Sequence, residues 1–286
     1  MIPAAFGYRR PASIEEALKL LDSDQGAKVL AGGQSLLPLL KLRLASAGTL
    51  VDIGRLPGLK GVRRLDDGRI AIGALTTYAE LMDSPVNEYG LLRDALPDIG
   101  DVQVRNRGTI GGAVAHSDPA SDLPACLLAL DAEFVIRSDS GERTTAADGF
   151  FQGAFATDLG PGEILTEVRL PGPRDDAGSA YCSLEQPASG YALVGVAAVL
   201  FAGDGGKIAS ANIALTGVSD HAYRARGVEA ALAGSDGSRG SIAAAAEHAT
   251  DGVDVSSDIH ADREYRTAMA AVYTRRAIEA ALARLR

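Results

Sequence analysis

Two segments of the sequence combine paired glycines with small polar residues. The first, residues 28–36, reads KVLAGGQSL, and the second, residues 105–113, reads RNRGTIGGA. Glycine lets a backbone turn tightly and approach a ligand closely. A strand that runs through two glycines into a helix points several N–H groups one way, and these groups and the helix dipole favour a phosphate. Two such turns could hold both ends of a pyrophosphate.

Each segment taken alone is equally compatible with an ordinary tight turn between two elements. The sequence contains neither the GxGxxG pattern nor the GxxxxGK[ST] pattern. The standard dinucleotide fingerprint and the P-loop are therefore excluded as explanations of the glycines.

Several polar residues near these segments have two interpretations each. Asp122, at the start of a predicted apolar helix, could accept hydrogen bonds from sugar hydroxyls. Arg105 and Arg107 could face a phosphate or an adjoining subunit, or stabilise the turn as surface charges. Lys28 could neutralise a phosphate or lie at a strand edge in solvent. His116 could lie near a bound cofactor or a subunit interface, but a position in a loop or at the surface is favoured, because a lone histidine is weak evidence for a site.

The sequence offers no recognisable metal-ligand grouping. Its two cysteines, Cys126 and Cys182, form no CxxC, and its four histidines are dispersed. An iron–sulfur cluster usually needs four thiolates, so any cluster is expected on another polypeptide. Cys126 is expected to be a packing residue on a helix. A reactive thiol is not expected there, because no basic neighbour would activate it.

Charge and hydropathy narrow the class of protein. The 286 residues carry a formal net charge of −9, which argues against nucleic acid or an anionic membrane surface as a partner. No apolar run approaches the roughly 20 residues of a membrane span, and residues 1–10 lack the long apolar stretch of a secretory signal. We expect a cytoplasmic protein.

Periodicity and turn residues predict an α+β chain with three parts. The first part has a capping box at residues 13–16 before a helix, and a βαβ unit follows it. The second part has several strands, a capping box at residues 77–80 and an apolar helix. A linker at residues 171–178 precedes two long apolar strands and a final helix. The predicted strands are 28–31, 49–53, 69–73, 133–137, 164–170, 191–201 and 208–218, and the predicted helices include 36–44, 123–130 and 262–286.

Taken together, the two glycine segments resemble the signature segments of the flavoprotein subunits of molybdenum hydroxylases. This family includes the medium subunit of aerobic carbon monoxide dehydrogenase and the flavin domain of xanthine dehydrogenase. The resemblance covers essentially the whole chain. It extends to FGYRRP at residues 6–11, GEIL at residues 162–165 and EQPASGYA at residues 185–192.

The resemblance implies a fold and a division of the chain. The fold is the FAD-binding type of p-cresol methylhydroxylase and vanillyl-alcohol oxidase, with two α+β subdomains and a C-terminal α/β sandwich-like domain. Residues 1–55 and 56–173 would form the two FAD-binding subdomains. Residues 177–286 would form the C-terminal domain of the carbon monoxide dehydrogenase flavoprotein type.

The resemblance also implies where FAD binds. Contacts would fall on Lys28, Ala31, Gly32, Gly33, Gln34, Ser35 and Leu36 in the first segment, and on Thr109, Ile110, Gly111, Gly112 and Ala113 in the second. Asp122 would meet the ribityl or ribose hydroxyls, Leu165 would pack on the cofactor, and Tyr191 would lie beside the isoalloxazine ring. No catalytic acid, base or metal ligand is implied in this chain.

The sequence departs from the family pattern in two places. Ala113 stands where relatives often have Asn or Asp, so a side-chain hydrogen bond to the cofactor is not expected there. Glu185 and Gln186 precede Tyr191 where many relatives have basic residues, so a cation beside the flavin is not expected.

The implied function is electron transfer by non-covalently bound FAD. A large molybdopterin subunit would oxidise the substrate, and a small [2Fe–2S] subunit would pass the electrons to this chain. A stand-alone FAD oxidase of the same broad fold and a nucleotide-binding scaffold without redox activity remain alternatives. On this interpretation Gly33→Val and Gly111→Val should fold yet bind FAD weakly. Valine would bring a disallowed φ and a steric clash where the backbone approaches the phosphate, each costing about 1–3 kcal/mol.

Overall fold

A computed structural model of residues 1–285 shows three main β-sheets that follow one another along the chain. The first is a parallel sheet with the strand order β1-β3-β2. Its elements are β1 (Gly7–Arg9), α1 (Ile14–Ser23), β2 (Lys28–Leu30), α2 (Leu36–Leu42) and β3 (Thr49–Asp52). The βαβ unit predicted around the first glycine segment is confirmed, while β1 was not predicted.

Both predicted capping boxes lie at helix starts, but only the one at Thr77 and Glu80 has both of the reciprocal hydrogen bonds. The Thr77 hydroxyl accepts from the Glu80 N–H, and the Glu80 carboxylate accepts from the Thr77 N–H. At α1 the Ser13 hydroxyl accepts from the Glu16 N–H at 3.2 Å. The Glu16 carboxylate turns instead to the N–H of Ala12, at 2.7 Å. Each cap satisfies N–H groups that have no partner inside the helix.

The second sheet has five antiparallel strands in the order β4-β5-β10-β6-β7. Its segment of the chain contains β4 (Val62–Arg64), β5 (Ile70–Gly73), α3 (Tyr78–Met82), α4 (Gly90–Asp98), α5 (Val102–Arg105), α6 (Ile110–His116), α7 (Asp122–Ala129), β6 (Glu133–Ser138), β7 (Gly141–Ala146), β8 (Phe151–Gly153), β9 (Ala156–Thr157) and β10 (Ile164–Leu170). Strands β8 and β9 pair in a separate two-stranded ribbon. The central β10 is buried along almost its whole length.

The third sheet is an antiparallel meander with the order β11-β12-β13-β14. Its segment contains β11 (Ala177–Glu185), β12 (Ala192–Ala202), β13 (Ile208–Thr216), β14 (Tyr223–Arg224), α8 (Arg226–Leu232), α9 (Arg239–Ala246) and α10 (Arg263–Leu282). None of the helices within residues 1–285 is long and apolar enough to cross a membrane.

Helices cover both faces of the third sheet, and they come from two parts of the chain. On one face of β12, Val196, Ala198 and Leu200 share a core with α10. On the other face, Ala197 and Val199 share a core with α4 and α7 of the preceding segment. The alternation follows from the period of two along a strand. The C-terminal segment therefore has its own sheet and helices, but the middle segment closes one of its faces.

Three sequence predictions need correction at their boundaries. The predicted linker 171–178 ends early, because Ala177 and Gly178 are already in β11. Gly178 lies directly under α10, where a Cβ would overlap the Ala281 carbonyl oxygen. Tyr191 precedes β12 and is 49% exposed, so it is not a core residue of that strand. The final helix ends at Leu282.

Candidate functional site

The first glycine segment presents a run of unpaired backbone donors. The five N–H groups from Gly32 to Leu36 donate to no other group within residues 1–285. Gly33 has a φ of +76°, which glycine adopts without strain and which turns the chain between β2 and α2. Consecutive N–H groups left free in a turn form a concave site for an anion. The donor set therefore fits a phosphate group.

The two glycine segments lie against each other, backbone to backbone. A Cβ on Gly32 would overlap the carbonyl oxygen of Arg107 and lie 3.1 Å from the Cα of Gly108. Gly32 is therefore required for the contact between the segments, whereas Gly33 is required for the turn. Their adjacency, expected from the pyrophosphate interpretation, is present in the structure.

The second glycine segment does not have the predicted form. Gly111 and Gly112 lie within the first turn of α6, and the element immediately before them is the helix α5, not a strand. The N–H groups of Ile110 and Gly111 donate to the carbonyls of Thr76 and Ala74 at 3.1 and 2.9 Å. These donors anchor α6 to the middle sheet and are not free for a phosphate. The expectation that both turns offer a similar set of N–H groups is wrong for the second.

Thr109 is the N-cap of α6 and the polar group that this segment still offers. Its hydroxyl accepts from the Gly112 N–H at 3.2 Å, a long hydrogen bond. The hydroxyl proton has no acceptor within residues 1–285. The Thr109 hydroxyl is therefore the donor at the start of α6 that remains suited to a ligand.

Gly111→Val is expected to destabilise the protein, contrary to the expectation that this variant folds normally. Gly111 has no positive φ, but its Cβ would lie 2.5 Å from the Cβ and 2.7 Å from the carbonyl oxygen of Ala74. We expect a loss of about 3 kcal/mol or more in the free energy of unfolding, because α6 would have to separate from Ala74. Urea denaturation of the apoprotein measures this loss, and a wild-type midpoint would contradict the packing argument.

Asp122 occupies the first turn of α7 and is 9% exposed. Its Oδ1 accepts a hydrogen bond from the Tyr181 hydroxyl at 2.5 Å. Burial raises the pKa of Asp122 to about 6, while the hydrogen bond from Tyr181 acts in the opposite direction. A carboxylate in this setting is a strong acceptor near neutral pH. Sequence reasoning identified Asp122 but missed Tyr181, because a tyrosine within a strand gives no local sign of its partner.

Leu165 and Tyr191 come from different parts of the chain, and their surroundings differ. Leu165 is buried in β10, on which α6 packs, at a register shift between β10 and β6. Burial raises the pKa of Tyr191, and the charges of Asp118 and Asp122 add to the effect. Asp122 and Tyr191 in turn raise the pKa of the buried Tyr78, after burial itself. Tyr191, Asp122 and Tyr78 thus form one neighbourhood.

The remaining residues of the first segment divide into two groups. Ala31, Gln34, Ser35 and Leu36 flank or continue the run of free donors. Lys28 is exposed at the opposite end of β2. Three residues lie between it and Gly32, and an extended chain places the two Cα atoms about 13 Å apart. The structure brings the first group together and leaves Lys28 apart.

The two arginines before α6 have different environments. The Arg105 guanidinium donates to three carbonyls around the C-terminal end of α4, namely those of Pro97, Ile99 and Gly100, at 2.8 to 3.1 Å. This arrangement favours the turn-stabilising interpretation of Arg105. The Arg107 side chain is exposed, and only its backbone meets the first glycine segment.

His116 ends α6 and packs against an aromatic ring. Its ring centroid lies 4.9 Å from that of Phe155, and burial lowers its pKa. Phe155 itself is 58% exposed. The pair lies at the surface of α6, which agrees with the expectation that His116 is a surface or loop residue.

A cleft of about 370 Å³ adjoins Tyr191 on the side of the C-terminal segment. Pro119, Leu193 and Arg266 are among the residues that line it, and neither glycine segment does. The cleft is therefore distinct from the run of free N–H groups, and Tyr191 lies at its border.

Two protein families match the sequence almost end to end. Residues 4–173 match the family described as the FAD binding domain in molybdopterin dehydrogenase. Residues 179–281 match the CO dehydrogenase flavoprotein C-terminal domain.

Individual relatives match over nearly their full length. The carbon monoxide dehydrogenase medium chain of Hydrogenophaga pseudoflava is 40% identical, with 99% of each chain covered. The 6-hydroxypseudooxynicotine dehydrogenase complex subunit alpha of Paenarthrobacter nicotinovorans is 39% identical, with 100% of this chain and 97% of the relative covered. Among solved structures, carbon monoxide dehydrogenase from Hydrogenophaga pseudoflava superposes with a TM-score of 0.96 at 42% identity, covering both chains completely. Quinoline 2-oxidoreductase from Pseudomonas putida 86 gives a TM-score of 0.92 at 35% identity, covering 99% of each chain.

Proposed function

Because the chain belongs to the family of FAD-binding medium subunits of molybdenum hydroxylases, we propose that it transfers electrons from a [2Fe–2S] subunit to an external acceptor. The family, its α+β fold and its oxidoreductase class were predicted from the sequence and are confirmed by the family matches. The observation that carries the proposal on this chain is the run of five free N–H groups beside the second glycine segment.

We place the pyrophosphate of FAD along the N–H groups from Gly32 to Leu36. The Thr109 hydroxyl would complete this site from the adjoining segment. The support is the pattern of donors: the N–H groups from Gly32 to Leu36 are free, whereas those of Ile110, Gly111 and Gly112 are already paired. Charge-assisted hydrogen bonds to backbone N–H groups are strong, so the first segment would provide most of the phosphate affinity.

The other predicted contacts would fall on the parts of FAD beyond the pyrophosphate. Asp122 would accept a hydroxyl of the ribityl chain or ribose, and Leu165 and Tyr191 would flank the isoalloxazine ring. The residues of this chain orient FAD and exclude water from it, while FAD, when bound, supplies the chemistry that joins one-electron and two-electron carriers. Lys28 would contribute only through long-range charge.

The proposed partners are a large molybdopterin-binding subunit and a small [2Fe–2S] subunit. Relatives of this chain are named as medium chains and as subunits of dehydrogenase complexes. The chain itself has two cysteines, fewer than the four thiolates that a cluster usually requires. The division into residues 1–55, 56–173 and 177–286 is part of the same proposal, since each segment contains one main sheet.

The isolated chain is expected to bind FAD without a covalent bond and to oxidise no organic substrate. Acid precipitation should leave FAD in the supernatant, and FMN there or flavin in the pellet would contradict the cofactor assignment. Anaerobic mixing with candidate substrates should leave the flavin absorption band unchanged, because this chain would hold no centre that takes electrons from them. Addition of the two partner subunits should then make the flavin reducible.

The same experiment separates the alternatives. If the lone chain's flavin is bleached by an organic substrate at a catalytic rate, the chain is a stand-alone oxidase. If the folded chain binds no FAD, it is a scaffold. The chain's melting temperature in the same buffer serves as the control for folding in either case.

A further inference from the structure

A buried hydrogen bond joins the C-terminal sheet to the proposed FAD site. The Tyr181 hydroxyl, from β11, donates to Oδ1 of Asp122 at 2.5 Å across 59 residues of sequence. Tyr181 is 5% exposed and Asp122 is 9% exposed. Both partners are thus almost fully removed from water, where a hydrogen bond to a charged group is strongest.

The C-terminal sheet leaves space for this hydrogen bond at Gly195. A Cβ on Gly195, in the middle of β12, would overlap the Tyr181 hydroxyl and lie 2.8 Å from a methyl group of Thr216. Glycine within a strand lacks a side chain for packing and often marks a close approach. At Gly195, the group that approaches the strand closely is the Tyr181 hydroxyl.

The end of β13 holds the loop that leads into Asp122. The Thr216 hydroxyl lies within hydrogen-bond distance of the carbonyls of Pro119 and Ser121, at 2.8 and 2.9 Å. The N–H of Gly217 donates to the Pro119 carbonyl at 2.7 Å. The loop and the carboxylate are therefore both held by the C-terminal sheet.

The two oxygens of Asp122 have different environments. Oδ1 is committed to Tyr181, whereas Oδ2 accepts no side-chain hydrogen bond from residues 1–285. Titratable groups on several elements change the pKa of Asp122 or have their own pKa changed by its charge. They are Tyr78 on α3, Asp98 at the end of α4, Cys126 on α7, Tyr181 and Glu185 on β11, and Tyr191 before β12. None of these is a cation, so Tyr181 is the group in this set that stabilises the ionised carboxylate.

We propose that Tyr181 is a positioning residue of the FAD site, whose hydroxyl orients the ionised Asp122 so that Oδ2 accepts a hydroxyl of the cofactor. This inference rests on the proposed function, because it assumes that Asp122 contacts FAD. It assigns to the C-terminal segment a part in cofactor binding that acts through Asp122. That part is distinct from any contact with partner subunits.

Tyr181 affects the cofactor through the protonation and the orientation of Asp122. Burial raises the pKa of this carboxyl, and the charges of Asp98 and Glu185 add to the rise. The hydrogen bond from Tyr181 lowers this pKa, as does a smaller contribution from the backbone at Asp122. An ionised carboxylate accepts hydrogen bonds on both oxygens, whereas protonation removes acceptor capacity. FAD affinity should therefore fall as the pH falls through the pKa of Asp122. Loss of the Tyr181 hydroxyl should move that fall to higher pH.

The test is FAD titration of the full-length apoprotein, followed by flavin fluorescence between about pH 5 and pH 8. Tyr181→Phe should weaken FAD binding about tenfold at neutral pH, since it removes one hydrogen bond to a charged group. It should also shift the midpoint of the pH profile upward. Asp122→Asn should abolish the pH dependence, and adding Tyr181→Phe to it should cost no further affinity.

Tyr223→Phe is the matched control, because the Tyr223 hydroxyl is also buried in the C-terminal segment but donates to the Ala249 carbonyl. It should lower stability without moving the pH midpoint. Gly195→Ala, which displaces the Tyr181 hydroxyl without deleting it, should reproduce the upward shift and serves if Tyr181→Phe does not fold. A wild-type affinity and midpoint in the Tyr181 and Gly195 variants would overturn the inference. A wild-type chain that binds no FAD would instead overturn the proposed function.

Discussion

Gly32→Ala is expected to weaken FAD binding by about a hundredfold or more, the largest single effect we expect on the cofactor. The added Cβ would overlap the carbonyl oxygen of Arg107 and lie 2.9 Å from its carbonyl carbon. These are backbone atoms, so the two glycine segments must move apart for the methyl group to fit. Separation would misalign the free N–H groups with the pyrophosphate. Loss of two charge-assisted hydrogen bonds accounts for a hundredfold change, at about 1.5 kcal/mol each.

FAD titration of the apoprotein by fluorescence measures the change in affinity. Gly240→Ala is the matched control: Gly240 lies in α9 with no positive φ, and a Cβ there would meet only the Ser238 hydroxyl, at 4.0 Å. That variant should bind FAD normally and gain about 0.5–1 kcal/mol of stability, because alanine is the better helix former. Equal FAD affinity in the Gly32 and Gly240 variants would show that the cofactor does not lie across the two segments.

Arg224→Met is expected to lower the free energy of unfolding by about 3–5 kcal/mol. The buried guanidinium donates to the carboxylates of Asp131 and Glu229 at 2.7 and 2.5 Å. It also donates to the Leu128 carbonyl and to the Asn212 side chain. These contacts join the end of α7 to the C-terminal sheet. Methionine would fill much of the space but remove the buried cation beside Glu229, whose side chain is 11% exposed and would keep only the exposed Arg226 and the Ile213 N–H as partners.

Arg226→Ala provides the comparison for this ion-pair network. Arg226 pairs with Asp148 and Glu229, but its side chain is 57% exposed. Exposed ion pairs typically contribute about 0–1 kcal/mol, because water screens the charges. Urea denaturation of both variants should therefore give a much larger loss for Arg224. Similar losses would show that the network does not join the two segments.

Local patterns in the sequence predicted most of the elements that carry the site. The capping residues Thr77 and Glu80, the apolar run of β10 and the βαβ unit around Gly32 all have the expected structure. The β7 and β11 strands were not predicted. The exposed β7 has little apolar content, and β11 mixes small and polar residues that pack only because α4 and α10 cover it.

The second glycine segment shows the limit of this reasoning. The two Gly-Gly pairs cannot be distinguished in the sequence, but Gly33 has a positive φ whereas Gly111 lies in a helix against Ala74. The sequence carries no local sign of that difference, because Ala74 and Thr76 belong to another element. The FAD contacts predicted for the individual residues stay predictions that the titrations above will test.

The amino-acid sequence by itself determined the features that depend on neighbouring residues: the turns at the glycine pairs, the helix caps, the alternation along buried strands and the family signature. Only the tertiary structure decided which donors of those turns are free and which carboxylate oxygen remains available. The physical reason is that hydrogen bonds inside a protein are satisfied by whichever groups the fold brings together. The N–H groups of Ile110 and Gly111 donate to residues 76 and 74, and Asp122 contacts Tyr181 because the C-terminal sheet packs on α7.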